Sequence, residues 1–212
     1  MGPIEWLIDF ILHIDTSLLT LINTFGNFVY PMIFLVVFCE TGLIVTPFLP
    51  GDSLIFIAGA FAAQDILSLP LLFLVFVLAA FLGDAANYAL GSLIGPRVFH
   101  SEDSRIFKRE YLEMAQQFYA KHGGAAIFLA RFVPIVRTFA PFVAGVGKMP
   151  YRYFAVYNLL GGIAWVTLFI LGGFFFGGIQ IVKSNLSLVI LGIVAVSLLP
   201  TLIKVLQIRS KG

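Results

Sequence analysis

Two apolar stretches of this sequence are interrupted near their middles by prolines, glycines and charges, and those interruptions limit the fold more than any other feature. The first stretch runs from Phe28 to Ala63. Phe28 to Cys39 is apolar, then come Glu40-Thr41-Gly42 and Thr46-Pro47-Phe48-Leu49-Pro50-Gly51-Asp52-Ser53, and the apolar pattern returns at Leu54. The second runs from Ala125 to Val146. Pro134 and Pro141 break it, Arg131 and Arg137 sit on the break, and Phe139 to Val146 is apolar again. Ten helical residues rise about 15 Å, half the hydrocarbon core of a bilayer. Each stretch therefore predicts two half-length helices around a tip, a re-entrant hairpin. Lipid-exposed irregular backbone is forbidden at that depth, so both tips must be enclosed by protein or water.

Composition places the whole chain in lipid. Hydrophobic residues make up 60% and charged residues 11% of 212 positions, against about 25% charged in soluble domains. Nothing interrupts this pattern for long enough to fold alone, so residues 1–212 read as a single membrane domain. Acids at Asp9 and Asp15 break up the first apolar run, which argues against a cleavable signal peptide. A net charge of +2 and aromatics in apolar surroundings argue against a nucleic-acid partner. Cys39 is the only cysteine and His13, His100 and His122 are scattered, so no metal site is expected. No Walker loop, HExxH pair or Ser/His/Asp set is present, and neither an enzyme nor a cofactor is expected.

The remaining segments predict an all-α polytopic fold. Pro3 to Ile22 reads as an amphipathic helix lying along the interface or against the bundle, with Asp9, His13 and Asp15 set among its aliphatic residues. Leu67 to Ile94 is a full span, in which Pro70 suits a helix start and Asp84 and Asn87 lie towards the end. Residues 96–123 are polar, with Phe107, Tyr111, Met114 and Phe118 at helical spacing, and read as a second amphipathic helix. Tyr153–Phe176 and Leu186–Ile203 are two more spans. Amphipathic helix, re-entrant hairpin and transmembrane helix thus occur twice, over residues 3–95 and 104–177, before a final transmembrane helix at 186–203. Phe56-Ile57-Ala58-Gly59 echoes Phe142-Val143-Ala144-Gly145, and Gly91/Gly95 echoes Gly173/Gly177. Each unit makes an odd number of crossings, so the second is inverted, as in many secondary transporters. This arrangement puts every Lys and Arg but Lys183 on one side, which the positive-inside rule makes cytoplasmic, along with the C-terminus.

The charges inside the hairpins carry the chemistry. A central Arg or Asp costs about 2.5–3.5 kcal/mol on insertion scales, so each needs a compensating role. One reading is structural, with ion pairs that lock the hairpins together, although buried ion pairs stabilise less than apolar packing. The functional reading gives Arg131 and Arg137 an anion, because the planar guanidinium fork fits a phosphate bidentately. Glu40 and Asp52 would then exchange protons, with Asp84 a third candidate for that role or for a helix-end hydrogen bond. The hairpin tips are Pro47, Pro50, Gly51 and Ser53 in the first stretch and Pro134, Thr138 and Pro141 in the second. Ser53 and Thr138 are ligand contacts or helix caps.

Several of these motifs resemble a known family. Phe38-Cys39-Glu40-Thr41-Gly42, Thr46 to Ser53, Gly83-Asp84 with Asn87-Tyr88, and Ala130-Arg131-Phe132-Val133-Pro134-Ile135-Val136-Arg137-Thr138 are similar to those of the DedA family, also described as the SNARE-associated or VTT-domain family. The resemblance covers residues 5 to 205. It implies a multi-pass protein of the bacterial inner membrane that supports envelope integrity. Some bacterial relatives return undecaprenyl phosphate to the cytoplasmic leaflet, distant eukaryotic relatives scramble phospholipids, and members have been linked to the proton motive force. In the family the functional set matches Glu40, Asp52, Arg131 and Arg137. The implied activity is transport of an anionic lipid phosphate, with membrane lipids and protons as partners. The rivals are a proton-coupled ion antiporter and a non-transporting envelope scaffold.

Overall fold

Long apolar runs without an internal breaker fold as continuous helices, because in lipid only the i→i−4 ladder satisfies the backbone. In a computed structural model, which describes residues 14–42, 51–98 and 121–177 with Tyr119, Ile179 and Gly192, every regular element among the described residues is helical. In chain order these are α1 (Ile14–Phe25), a 3-10 turn at Gly26–Phe28, α2 (Val29–Gly42), α3 (Gly51–Ala62), α4 (Leu69–Val98), α5 (Ala125–Ala130), α6 (Pro134–Val146) and α7 (Tyr151–Gly177). Among the described residues, three stretches are long and apolar enough to cross a membrane: Thr16–Gly42, Leu69–Ile94 and Tyr151–Gly177. The last two match the spans expected from sequence. The amphipathic helix at 96–123 lies largely outside the described residues, as do the final span at 186–203 and the tip prolines Pro47 and Pro50.

The first of the three stretches differs from expectation. Sequence reading separates an interfacial helix ending at Ile22 from a hairpin arm starting at Phe28, whereas helical backbone runs on from Thr16 to Gly42. A break is nevertheless present between α1 and α2. Gly26 has a φ of +53°, in the left-handed region that glycine enters without a steric penalty. The chain thus changes direction where a longer side chain would be strained.

The described residues form two compact units. The first holds residues 14–37, 51–76 and 166–177, and the second residues 38–42, 77–98 and 121–165 with Tyr119. In the first, α3 crosses α7 in close backbone contact. A Cβ added to Gly59 would meet the Ile170 carbonyl, one on Gly173 the Phe56 carbonyl, and one on Gly177 would meet Ala60. In the second, α6 crosses α4 in the same manner, with Gly91 against the Phe142 carbonyl and Gly145 against the Tyr88 carbonyl. Small residues are what allow helices to approach this closely in a membrane.

α3 and α6 also end alike. After α3, Ile66 N–H donates to the Phe61 carbonyl and Asp65 N–H to the Ala62 carbonyl; after α6, Met149 N–H donates to Ala144 and Lys148 N–H to Gly145. Both are Schellman caps, whose left-handed position usually holds glycine. Here Asp65 (φ 58°) and Lys148 (φ 54°) take it. In the first unit, Ser68 N–H also donates to the Tyr30 hydroxyl at 2.9 Å. In the second, Tyr119, Ile127, Ala130, Ala140, Ala144, Met149 and Phe154 form a buried core. The Tyr119 hydroxyl donates to the Ala140 carbonyl at 2.9 Å.

Candidate functional site

α5 stops at Ala130 and α6 starts at Pro134, so Arg131 lies on the turn between them. Val133 is extended (φ −117°, ψ 107°), as the residue before a proline prefers. Pro134 is the first residue of α6, where its missing N–H costs nothing. Pro141 corrects the sequence reading. It does not break the segment but lies inside α6, buried. Lacking an N–H, it removes the helical donor for the Arg137 carbonyl and loosens the ladder there. The next carbonyl, that of Thr138, accepts a hydrogen bond from Asn87 Nδ2 at 2.7 Å.

Each arginine meets a carboxylate. Arg131, 5% exposed, bonds through Nη2 to Asp84 Oδ2 on α4 and to Asn158 Oδ1 on α7. Arg137 bonds through Nη2 to Glu40 Oε1 on α2, and Glu40 is fully buried. Glu40 stands in the last turn of α2, where a negative charge opposes the helix dipole. The Arg137 guanidinium offsets that penalty. Two buried amides secure the set. Asn158 Nδ2 donates to the Phe81 carbonyl of α4 at 3.2 Å. Asn87 Nδ2 reaches the Thr41 carbonyl (3.4 Å) as well as that of Thr138, tying together the residues that follow Glu40 and Arg137. Thr41, Asp84, Arg131, Arg137, Thr138 and Trp165 line one small recess of about 10 Å³.

The second unit thus gathers Glu40, Asp84, Arg131, Arg137 and Thr138 from the sequence-predicted set. Asp84, the third-ranked acid, is the direct partner of Arg131. Asp52, ranked above it, is half-buried in the first turn of α3, next to buried Ser53 and Gly51, and α3 belongs to the first unit. Sequence reasoning missed Asn158 and Trp165 altogether. Both lie in a span with no charge after Arg152 to draw attention to it, and the only available signal was a polar Asn inside an apolar helix.

Comparison with known proteins gives the family. The VTT domain matches residues 49–175. Protein DedA of Escherichia coli K12 is 54% identical over 209 residues, which is 98% of this chain and 95% of that one. The chain belongs to the DedA family of VTT-domain membrane proteins. An uncharacterized membrane protein of Mycobacterium tuberculosis H37Rv is 44% identical over 188 residues, covering 88% of this chain and 82% of its own length. The inner membrane protein YghB of Escherichia coli K12 is 32% identical over 157 residues, with coverage of 74% and 72%. No solved structure matches.

Proposed function

We propose that this DedA-family protein carries the phosphate headgroup of an anionic lipid, such as undecaprenyl phosphate, between leaflets of the bacterial inner membrane, driven by protons. One observation carries the reading: two guanidiniums line a single recess, and each is neutralised by a carboxylate that a proton can discharge. Protonation of Glu40 or Asp84 releases an arginine fork to bind phosphate. Deprotonation restores the ion pair and expels the cargo. A phosphomonoester carries a charge of about −1.5 to −2 near neutral pH, so one or two protons on the carboxylates keep the loaded cluster close to neutral. Asp52, at the start of α3, is assigned to proton entry or to hairpin gating.

The re-entrant, inverted-repeat architecture is part of the same proposal. It is supported by the matched glycine crossings, the matched Schellman caps, and the Tyr30–Ser68 bond, which brings the chain after α3 back to where α2 begins. Helices that enter and return provide a polar path beside lipid for a headgroup while its tail stays outside. The C-terminus is placed in the cytoplasm on the strength of the Lys and Arg distribution.

The complete pairing of these charges also favours a second reading, in which they are purely structural. Reconstitution separates the two. Leaflet exchange of undecaprenyl phosphate in liposomes is expected to depend on a pH gradient and to drop at least a hundredfold in Arg131→Gln plus Arg137→Gln. Undiminished exchange in that folded double variant excludes the site. Proton-linked cation flux without lipid exchange replaces the lipid carrier with an antiporter, and neither activity in a folded sample leaves the scaffold.

A further inference from the structure

α7 has one face made for a guanidinium. Asn158, Gly161, Gly162 and Trp165 stand at i, i+3, i+4 and i+7, and so share a side of the helix. Asn158 Oδ1 accepts from Arg131. At Gly161 an added Cβ would come within 3.5 Å of Arg131 Cδ and 3.6 Å of its Nε, and at Gly162 within 3.8 Å of Cζ and Nη1. The Arg131 side chain therefore lies along the two glycines. Beyond them Trp165, 1% exposed, holds the Arg131 Cζ over its ring at 5.8 Å from the centroid. The same indole holds the Arg137 Cζ at 5.2 Å.

Two like charges sharing one ring call for an explanation. Each could be neutralised by its own carboxylate alone. The α7 face is uncharged, so its hold on the arginines is the same whether Glu40 and Asp84 are ionised or protonated. An indole attracts cations through its quadrupole, more strongly where water is excluded. When a carboxylate lets go, a guanidinium on this face keeps its place. We propose that Trp165 is a positioning residue for phosphate recognition, its indole and the adjoining Asn158–Gly161–Gly162 face presenting both arginine forks to one phosphate group. This rests on the phosphate reading given above. Such a fixed pair of donors gains affinity by avoiding the cost of ordering two long side chains on binding.

The chain has two tryptophans, Trp6 and Trp165, so in a Trp6→Phe background emission reports on Trp165 alone. The purified full-length protein in maltoside detergent is titrated with decyl phosphate and, separately, with inorganic phosphate. Saturable change in Trp165 emission with either supports the proposal; the probe that saturates at lower concentration shows whether a lipid phosphate or a free phosphate is preferred. Binding followed calorimetrically is then expected to weaken about tenfold or more in Trp165→Leu, to stay within about threefold in Trp165→Phe, and to vanish in Arg131→Gln plus Arg137→Gln. Wild-type affinity in Trp165→Leu, with binding lost only in the arginine variant, overturns the role of Trp165 and leaves the phosphate site standing. Full binding by the arginine variant overturns both. If Trp165→Leu does not fold, the emission titration and Trp165→Phe still decide: a flat titration at concentrations where calorimetry detects binding rules the proposal out.

Discussion

At the scale of single residues, burial and charge conflict at the Asp84–Arg131 contact. Both groups are almost fully buried, and a buried charge that loses its partner typically costs about 3–5 kcal/mol. Asp84→Asn is therefore expected to lower the melting temperature of the purified protein sharply, since Asn158 offers Arg131 a dipole but no counter-charge. Adding Arg131→Gln to Asp84→Asn removes the orphaned cation and is expected to recover most of the loss. A double-mutant cycle read by thermal unfolding measures the coupling; additive effects of the two substitutions would falsify the pairing. Glu40 yields a different prediction, this one about pH. If a proton on Glu40 frees Arg137, wild-type phosphate binding strengthens as pH falls. In Glu40→Gln that carboxylate is already neutral, so binding at high pH is expected to rise towards the wild-type low-pH level and the pH dependence to flatten. A pH series of calorimetric titrations on both proteins checks this, and an unchanged slope counts against Glu40 as the coupled acid.

The elements were legible in the sequence where one physical rule dominated. Leu69–Ile94 and Tyr151–Gly177 are apolar enough that lipid leaves them one conformation, and Pro134 marks a helix start because no other position there tolerates it so well. Pro141 was misread because a buried helix in close contact with α4 can keep a proline that an isolated helix would not, with Asn87 bonded to the loosened backbone. Asp84 was underrated, and Asn158 and Trp165 missed, for another reason: which residues meet across helices is fixed by packing, and helical periodicity does not encode it. Packing in turn rests on the crossings, which adjacent glycines test. Gly173 faces the Phe56 backbone, whereas at Gly172 a Cβ would make ordinary contact with the Phe56 ring at 3.7 Å. Gly173→Ala is expected to destabilise and Gly172→Ala to be neutral or to stabilise by up to about 1 kcal/mol, the helix-propensity gain. Similar melting temperatures for the two would mean that the α3–α7 crossing is looser than described.

For the whole molecule the proposed re-entrant architecture fixes how many times the chain crosses before α4. Thr16–Gly42 is long enough to span as a straight rod, but it is not straight. Gly26, with its φ of +53°, breaks it. The Tyr30 hydroxyl is bonded to Ser68 N–H, so the start of α2 lies level with the start of α4. In the proposed re-entrant architecture α2 goes in and α3 returns, which leaves α1 to lie along the surface on that same side. The sole cysteine, Cys39, makes this testable in a Cys39→Ala background with one cysteine introduced at a time. Lys148→Cys is expected to react with an impermeant maleimide only in inside-out vesicles. Asp65→Cys and Thr16→Cys are expected to react only from the outer face. Labelling of Thr16→Cys from the cytoplasmic face, with Asp65→Cys still outside, would make Thr16–Gly42 a true crossing. The first hairpin would then be only half re-entrant, and the proposed inverted symmetry would be lost.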